Sequence, residues 1–181
     1  MTRPLRYSGY PNQDESAFAV HLATPISSDL FVPQPNDWTC GIAVAMMIHR
    51  FFKVSVPPCE RCVEILQTTE THGTSTTNFA GWLESFSRAN GLLLEIGHNG
   101  SYADIERLLM ANWLIVLAFR EPVELVGHYA IVQAIHETAL MLADPFYGPR
   151  SIVHRTNLVW TTQFEEPTRE GWYAALKRPE E

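Results

Sequence analysis

Cysteine is scarce in this sequence, with only three cysteines in 181 residues. A small domain held by disulfides would have more cysteines, in an even number, so this count argues against a disulfide framework. Cys59 and Cys62 form one C-x-x-C pair, and no second pair accompanies it as in common zinc sites. His72 could supply a third ligand, but no fourth is evident. Because Pro57-Pro58 before the pair indicates a turn, we interpret both cysteines as structural or incidental and expect no metal or organic cofactor.

Basic residues and long apolar runs are also scarce. Lysine and arginine number 13 against 20 acidic residues, for a formal charge of −7. Nucleic-acid-binding domains normally carry a basic patch, so no nucleic-acid partner is expected. The longest apolar stretches, such as residues 113–119, are far too short to span a bilayer. Residues 1–10 lack the apolar segment of a signal peptide, which predicts a cytoplasmic protein without a membrane segment.

The sequence does contain enough apolar residues, 46% of the total, for one globular core. Helical patterns come first and strand patterns second, which predicts an α+β fold. We expect an extended arm at residues 1–30 with a short strand at 18–22, one domain at 31–176 and a loose tail at 177–181. Helices are predicted at residues 40–52, 62–69, 78–90 and 102–112, and later strands at residues 114–119, 128–135, 139–143, 151–154 and 172–176.

Cys40 is the candidate nucleophile, because it begins the first predicted helix. The unpaired N–H groups and the dipole at a helix N-terminus favour a thiolate. Gly41 beside it allows close approach by backbone or substrate. The alternative is that Cys40 is a small apolar residue at the start of a buried helix.

His128 and Asp144 are the candidate base and its partner. The residues 136–138 form a polar turn, and a hairpin centred on His136 would set Asp144 directly opposite His128. Directly opposed Cβ atoms are roughly 4.5–5.5 Å apart, which lets a carboxylate orient an imidazole. Alternatively, His128 is a core histidine bonded to a carbonyl group, and Asp144-Pro145 only ends a strand.

Gln34 precedes Cys40 by six positions, across a loop that contains Pro35. If that loop folds back, the Gln34 amide and the Cys40 N–H together form an oxyanion hole; otherwise Gln34 is a surface residue. Trp38 and Gly127 are the expected substrate contacts, together with the loop at residues 72–77, although Trp38 could equally anchor its own loop.

These residues resemble the C39-like cysteine peptidases of the papain-like superfamily. The resemblance covers roughly residues 30–176 and depends on Gln34-x5-Cys40-Gly41, on residues 127–132 (GHYAIV) and on Asp144-Pro145. It implies a papain-like α+β fold, in which a helical half carries Cys40 and an antiparallel sheet carries His128 and Asp144. It also implies thiol chemistry without a cofactor on a peptide or amide substrate, with Gln34 completing the oxyanion hole.

Two departures from the family pattern are visible. Thr39 precedes Cys40 and Ile42 follows Gly41, where the family often has an acidic residue and Gly-Pro. Neither change removes a catalytic group. Members with the best-defined role process double-glycine leader peptides and are fused to an exporter, whereas this sequence contains no membrane or nucleotide-binding portion.

Three functions are compatible with these residues. The first is a cysteine peptidase or amide hydrolase with a Cys40–His128–Asp144 triad and Gln34 as oxyanion donor. The second is an acyl or amide transferase that uses the same acyl-enzyme but an amine acceptor. The third is a catalytically inactive peptide-binding module that kept the fold.

Overall fold

A computed structural model describes residues 18–120, 126–160 and 171–180. Within them the chain forms four α-helices and eight strands, which confirms the predicted α+β class. Residues 1–17 of the predicted arm and residue 181 of the predicted tail lie outside the described residues. The helices are α1 (Cys40–Phe51), α2 (Cys59–Leu66), α3 (Thr76–Ala89) and α4 (Tyr102–Met110). The strands are β1 (Val20–His21), β2 (Leu93–Gly100), β3 (Leu114–Arg120), β4 (Gly127–Ile135), β5 (Ala139–Asp144), β6 (Gly148–His154), β7 (Val159–Trp160) and β8 (Gly171–Lys177).

The strands form one antiparallel sheet in the order β2-β8-β3-β4-β5-β6, with β1 paired to β4 and β7 paired to β3. Successive side chains of a strand point to opposite faces of its sheet. All six residues of β5 are buried, as are eight of the nine in β4, so both faces of the sheet centre are covered. Among the described residues, no helix combines the length and apolar character needed to cross a bilayer.

Helix α1 is buried because its sequence is apolar on almost every side. Nine of its twelve residues are buried, and it packs against β4. Thr39 precedes the helix without capping it by its side chain; its hydroxyl donates instead to the Asn36 carbonyl oxygen at 3.2 Å. The predicted bounds of this helix agree with the structure to one residue, and Cys40 is its first residue.

The prediction for α2 was wrong by three residues at each end. The helix begins at Cys59 directly after Pro58, which is tolerated at a helix start because proline has no N–H to leave unpaired. It ends at Leu66, because Gln67 adopts a left-handed conformation with φ 49°. The C-x-x-C pair therefore occupies the first helical turn. Cys59 is exposed, Cys62 is buried, and both are free thiols.

Strand β2 was not predicted, since its sequence shows neither strict alternation nor an apolar run. It is an edge strand with only partial burial. Two glycines in it lie under the Tyr173 ring of β8, where a Cβ atom on Gly100 would approach Tyr173 Cδ1 to 2.5 Å. Glycine is needed there because the neighbouring ring leaves no space for a side chain.

The β4–β5 hairpin contains a bulge at Gln133. Val132 pairs with Leu142, whereas Ala134 pairs with Met141, so one extra residue is accommodated in β4. Gln133 is buried; its Nε2 donates to the Pro149 carbonyl oxygen of β6, and its two oxygen atoms accept from the segment before the helical half. Its carbonyl oxygen accepts from Leu22 N–H and its Oε1 from Ile26 N–H, both at 2.7 Å.

Candidate active site

Cys40 lies at the point where α1 meets the start of β4. The first hydrogen bond within α1 runs from Ala43 N–H to the Thr39 carbonyl oxygen at 3.0 Å. The Cys40 N–H therefore belongs to the first turn, whose N–H groups find no partner inside the helix. The Cys40 side chain is 4% exposed and lines a cavity. The thiol thus has a helix N-terminus behind it and an open space in front.

His128, the second residue of β4, lies between Cys40 and Asp144. Its Nε2 is 2.8 Å from Asp144 Oδ1, and the edge of its ring faces Phe119 with centroids 5.3 Å apart. Because Nε2 is occupied, Nδ1 is the ring nitrogen that remains for Cys40. Cys40 is close enough to the imidazole to raise its pKa. The bond to Asp144 fixes the orientation of the ring.

The pKa of His128 reflects opposing effects. Burial in an apolar environment lowers the pKa, because the charged imidazolium loses solvation. The charge of Asp144 and its hydrogen bond, together with the contact to Cys40, outweigh this and raise the pKa from 6.5 to about 10. These contacts therefore favour the protonated form of the imidazole.

Asp144 is oriented by the turn that follows β5. Its Oδ1 accepts from Phe146 N–H at 2.8 Å and from Tyr147 N–H at 3.2 Å, in addition to His128. This is the usual turn geometry of an aspartate that bonds to the backbone two residues on. With 2% exposure, the carboxylate is held both by the backbone and by the imidazole.

The pairing of His128 with Asp144 differs from the predicted direct opposition. The ladder pairs Ile131 with Ala143, so extending it by one residue places Asp144 opposite Ala130. His128 and Ala130 share a face of β4, since the side-chain period of a strand is two. The two functional groups therefore meet diagonally, within the reach of an imidazole and a carboxylate.

Gln34 is buried, and its backbone N–H donates to the Pro145 carbonyl oxygen at 3.0 Å. Its loop is thereby joined to the residue after Asp144. Its side-chain Nε2 donates to the Asn36 carbonyl oxygen at 2.8 Å, which uses one of the two amide hydrogens. Its Oε1 has no partner among the described residues, and Gln34 is not part of the lining of the cavity next to Cys40.

The cavity in front of Cys40 has a volume of about 670 Å³. Trp38 and Gly127, the expected substrate contacts, both line it, as does the predicted loop at residues 72–77. Most of the residues that line the cavity are polar, and the described lining consists of Asp37, Trp38, Cys40, Glu70, Thr71, His72, Gly73, Thr74, Ser75, Thr76, Thr77, Val126 and Gly127. The carboxylates of Asp37 and Glu70 in this lining were not predicted.

Two buried residues beside the site, Tyr129 and Thr74, were not singled out from the sequence, although Thr74 lies in the loop that was expected to line the cavity. Tyr129 follows His128, and its hydroxyl donates to the Thr74 carbonyl oxygen at 3.1 Å. Nothing in an apolar strand marks one tyrosine as different from its neighbours. Within the described residues, no group of three or more histidine, cysteine, aspartate or glutamate side chains could hold a metal ion.

Solved structures share this fold at low sequence identity. The peptidase domain of Streptococcus ComA, a bi-functional ABC transporter involved in a quorum-sensing pathway, matches with a TM-score of 0.59 and 16% identity, over 82% of this chain and 98% of that chain. A double glycine motif protease from an AMS/PCAT transporter, solved with the leader peptide, matches with a TM-score of 0.56 and 13% identity, over 89% and 96%. The peptidase domain of Streptococcus mutans ComA, solved with a small-molecule inhibitor, matches with a TM-score of 0.51 and 16% identity, over 81% and 98%.

No protein-family model matches the sequence, and no curated protein matches it significantly. The structural matches confirm the α+β fold that the resemblance to C39-like peptidases implies.

Proposed function

We propose that this protein is a cysteine peptidase or amide hydrolase with Cys40 as nucleophile. The observation that carries the proposal is the His128–Asp144 pair, with Nε2 and Oδ1 2.8 Å apart, next to Cys40 at the edge of a cavity of about 670 Å³. The fold shared with peptidase domains supports the same conclusion. A reactive thiol, a base, an orienting carboxylate and space for a substrate are the elements that thiol-dependent acyl transfer needs.

The proposed reaction begins with the Cys40 thiolate and the His128 imidazolium. The sulfur attacks the substrate carbonyl carbon, and the carbonyl oxygen takes the negative charge. The Cys40 N–H and the second hydrogen of the Gln34 amide donate to that oxygen. His128 then gives its proton to the amine, which leaves as the C–N bond breaks and a thioester remains.

Hydrolysis completes the cycle. His128, now neutral, takes a proton from a water molecule that attacks the thioester carbonyl. The carboxylic acid leaves, and the thiolate and imidazolium are restored. Throughout the cycle Asp144 keeps the ring in position and stabilises its charge.

A peptide is the proposed substrate class, with Trp38 and Gly127 among its contacts. One protease with this fold was solved with a leader peptide and is described as a double glycine motif protease. A peptide with two consecutive glycines is therefore the first substrate to assay. We place the activity in the cytoplasm, where thiols remain reduced, and the three free cysteines are consistent with that location.

The test is the rate of Cys40 alkylation by iodoacetamide at pH 6 in the parent and in His128→Ala. An unperturbed thiol has a pKa of about 8.5 and is almost entirely protonated at this pH. We expect fast labelling of Cys40 in the parent, located by peptide mass mapping, and a loss of about 10²-fold in His128→Ala. Cys59 is the internal control, because it is exposed and should label slowly in both proteins.

Slow labelling of Cys40 in both proteins would contradict the proposal and favour the peptide-binding module. If labelling is fast, product analysis with and without added amines distinguishes a hydrolase from an acyl or amide transferase. Release of a free carboxylic acid in the presence of amines supports hydrolysis. Formation of an amide product instead identifies a transferase.

A further inference from the structure

One wall of the cavity is formed by residues 70–77, and Thr74 in this wall contacts the elements that carry Cys40 and His128. It lies in the segment between α2 and α3, is 1% exposed and lines the cavity. Its carbonyl oxygen accepts from the Tyr129 hydroxyl at 3.1 Å. Its own hydroxyl is 2.6 Å from the Thr68 hydroxyl. Two buried hydrogen bonds thus hold one residue of the wall.

The same wall packs closely against the backbone of Gly41, the residue after Cys40. A Cβ atom on Gly41 would lie 2.7 Å from Thr74 Oγ1, so the Thr74 side chain approaches the Gly41 backbone as closely as glycine permits. Thr69 and Gly73 form a small antiparallel bridge, with N–H to O distances of 2.8 and 3.0 Å, just before Thr74. The contacts of Thr74 therefore determine the distance between this wall and Cys40.

Tyr129 is itself immobilised. It is fully buried, stacked on Phe79 with ring centroids 4.7 Å apart, and 6.0 Å from the Trp172 ring. Burial, and to a lesser extent the charge of Cys40, raise the pKa of its hydroxyl well above 10. The hydroxyl thus remains a donor at neutral pH. The bond to Thr74 therefore connects the cavity wall with β4.

We propose that Tyr129 and Thr68 are positioning residues that hold the Thr74 wall at a fixed distance from Cys40, so that the cavity keeps the width in which a peptide binds. This inference depends on the proposed thiol chemistry. Tyr129 and Thr68 do not touch the reacting atoms and act only through Thr74. Its consequence is specific: loosening the wall should weaken the binding of a peptide but leave the reactivity of the thiol unchanged.

The experiment compares two alkylating probes in the parent, Tyr129→Phe and Thr68→Val. Iodoacetamide needs only a reactive thiolate. A tripeptidyl chloromethyl ketone ending in glycine alkylates the same sulfur with loss of chloride, but it must first bind in the cavity. For each protein we would measure the concentration of the ketone that gives half-maximal inactivation and the limiting rate at saturation.

We expect the half-saturating concentration to rise about five- to tenfold in Tyr129→Phe and in Thr68→Val, the usual effect of losing one buried hydrogen bond. The limiting rate and the iodoacetamide rate should stay within about twofold of the parent. Tyr102→Phe is the matched control, because the Tyr102 hydroxyl also donates to a backbone oxygen at 3.1 Å, that of Arg155, and is not part of the cavity lining. It should leave both probes unaffected.

An unchanged half-saturating concentration in both variants would overturn the inference, as would an equal rise in Tyr102→Phe. Failure of the ketone to saturate the parent would also overturn it, because the wall would then not hold a peptide. If Tyr129→Phe does not fold, Thr68→Val decides alone. Slow alkylation of the parent by iodoacetamide would instead contradict the proposed function, so the two failures are distinguishable.

Discussion

At the scale of single residues, one oxygen atom of Asp144 both orients His128 and holds the turn after β5. Its Oδ1 accepts from the His128 ring and from the N–H groups of Phe146 and Tyr147. An asparagine oxygen could accept the same three bonds, but it has no negative charge to stabilise the imidazolium. Orientation and charge can therefore be separated by substitution.

We expect Asp144→Ala to lower kcat/KM for a cleaved peptide by about 10²-fold or more, and Asp144→Asn by about tenfold or less. The pH profile should change as well. Because Asp144 raises the pKa of His128, its removal lets burial lower that pKa, and the imidazole loses its proton at lower pH. The alkaline limb of kcat/KM should therefore move to lower pH in Asp144→Ala.

Thermal unfolding of both variants serves as the control, since the bonds to Phe146 and Tyr147 also stabilise the turn. Equal activity of the two variants, at equal folded fractions, would show that orientation of His128 does not limit the reaction. An alkaline limb that stays in place would show that Asp144 does not set the pKa of the base.

The places of Cys40, His128 and Asp144 at the ends of their elements could be predicted from the sequence, because each stands next to a recognisable boundary of a helix or strand. Their exact pairing could not. The hairpin turn closes between His136 and Ala139, not around His136, and by itself this would place Asp144 opposite Ile131, on the face of β4 away from His128. The bulge at Gln133 shifts the register by one and returns Asp144 to the face of His128.

At the scale of elements, the position of α1 depends on the absence of a side chain at Gly41. A Cβ atom there would meet both Thr74 Oγ1 at 2.7 Å and Thr74 Cβ at 2.9 Å. Thr74 is buried and hydrogen-bonded, so it cannot move away freely. We expect Gly41→Ala to destabilise the protein by about 1–3 kcal/mol, measured by urea unfolding.

Gly81→Ala is the matched control for that substitution. Gly81 lies in the interior of α3, and a Cβ atom added to it has no neighbour within 4 Å. Alanine is favoured over glycine inside a helix, so this change should stabilise by about 0.5–1 kcal/mol. The same substitution should thus have opposite signs in α1 and α3. Stabilisation by Gly41→Ala would contradict the close approach of Thr74.

The elements themselves were predictable in proportion to their burial. Helix α1 and strands β3–β5 have continuous apolar sequences, and their predicted positions agree with the structure to one or two residues. Edge strand β2 contains glycines whose role depends on Tyr173, more than 70 residues away in the sequence. Such a contact has no local pattern, because only tertiary packing creates it.

At the scale of the whole molecule, negative charge is concentrated where a substrate would enter. The net charge is −7, and the described cavity lining contains Asp37 and Glu70 but no lysine or arginine. A cavity lined by one sign of charge attracts ligands of the opposite sign, and salt screens the attraction. Peptides with basic side chains should therefore reach Cys40 more readily than acidic ones.

We expect a peptide with lysines flanking the cleaved bond to have a kcat/KM about five- to tenfold above that of the same peptide with glutamates, at low ionic strength. Raising the salt concentration to about 0.5 M should reduce the ratio to near one, because the Debye length then falls below about 5 Å. The measurement is kcat/KM for the peptide pair across a salt series.

A pair of double variants separates the cavity carboxylates from the total charge. Asp37→Asn with Glu70→Gln, and Glu106→Gln with Glu137→Gln, each change the net charge from −7 to −7 + 2 = −5. Glu106 and Glu137 are exposed and outside the cavity lining. If the preference for lysine arises in the cavity, only the first double variant should abolish it. An equal loss in both variants would assign the preference to the overall field of the protein, and no loss in either would remove charge as a determinant of specificity.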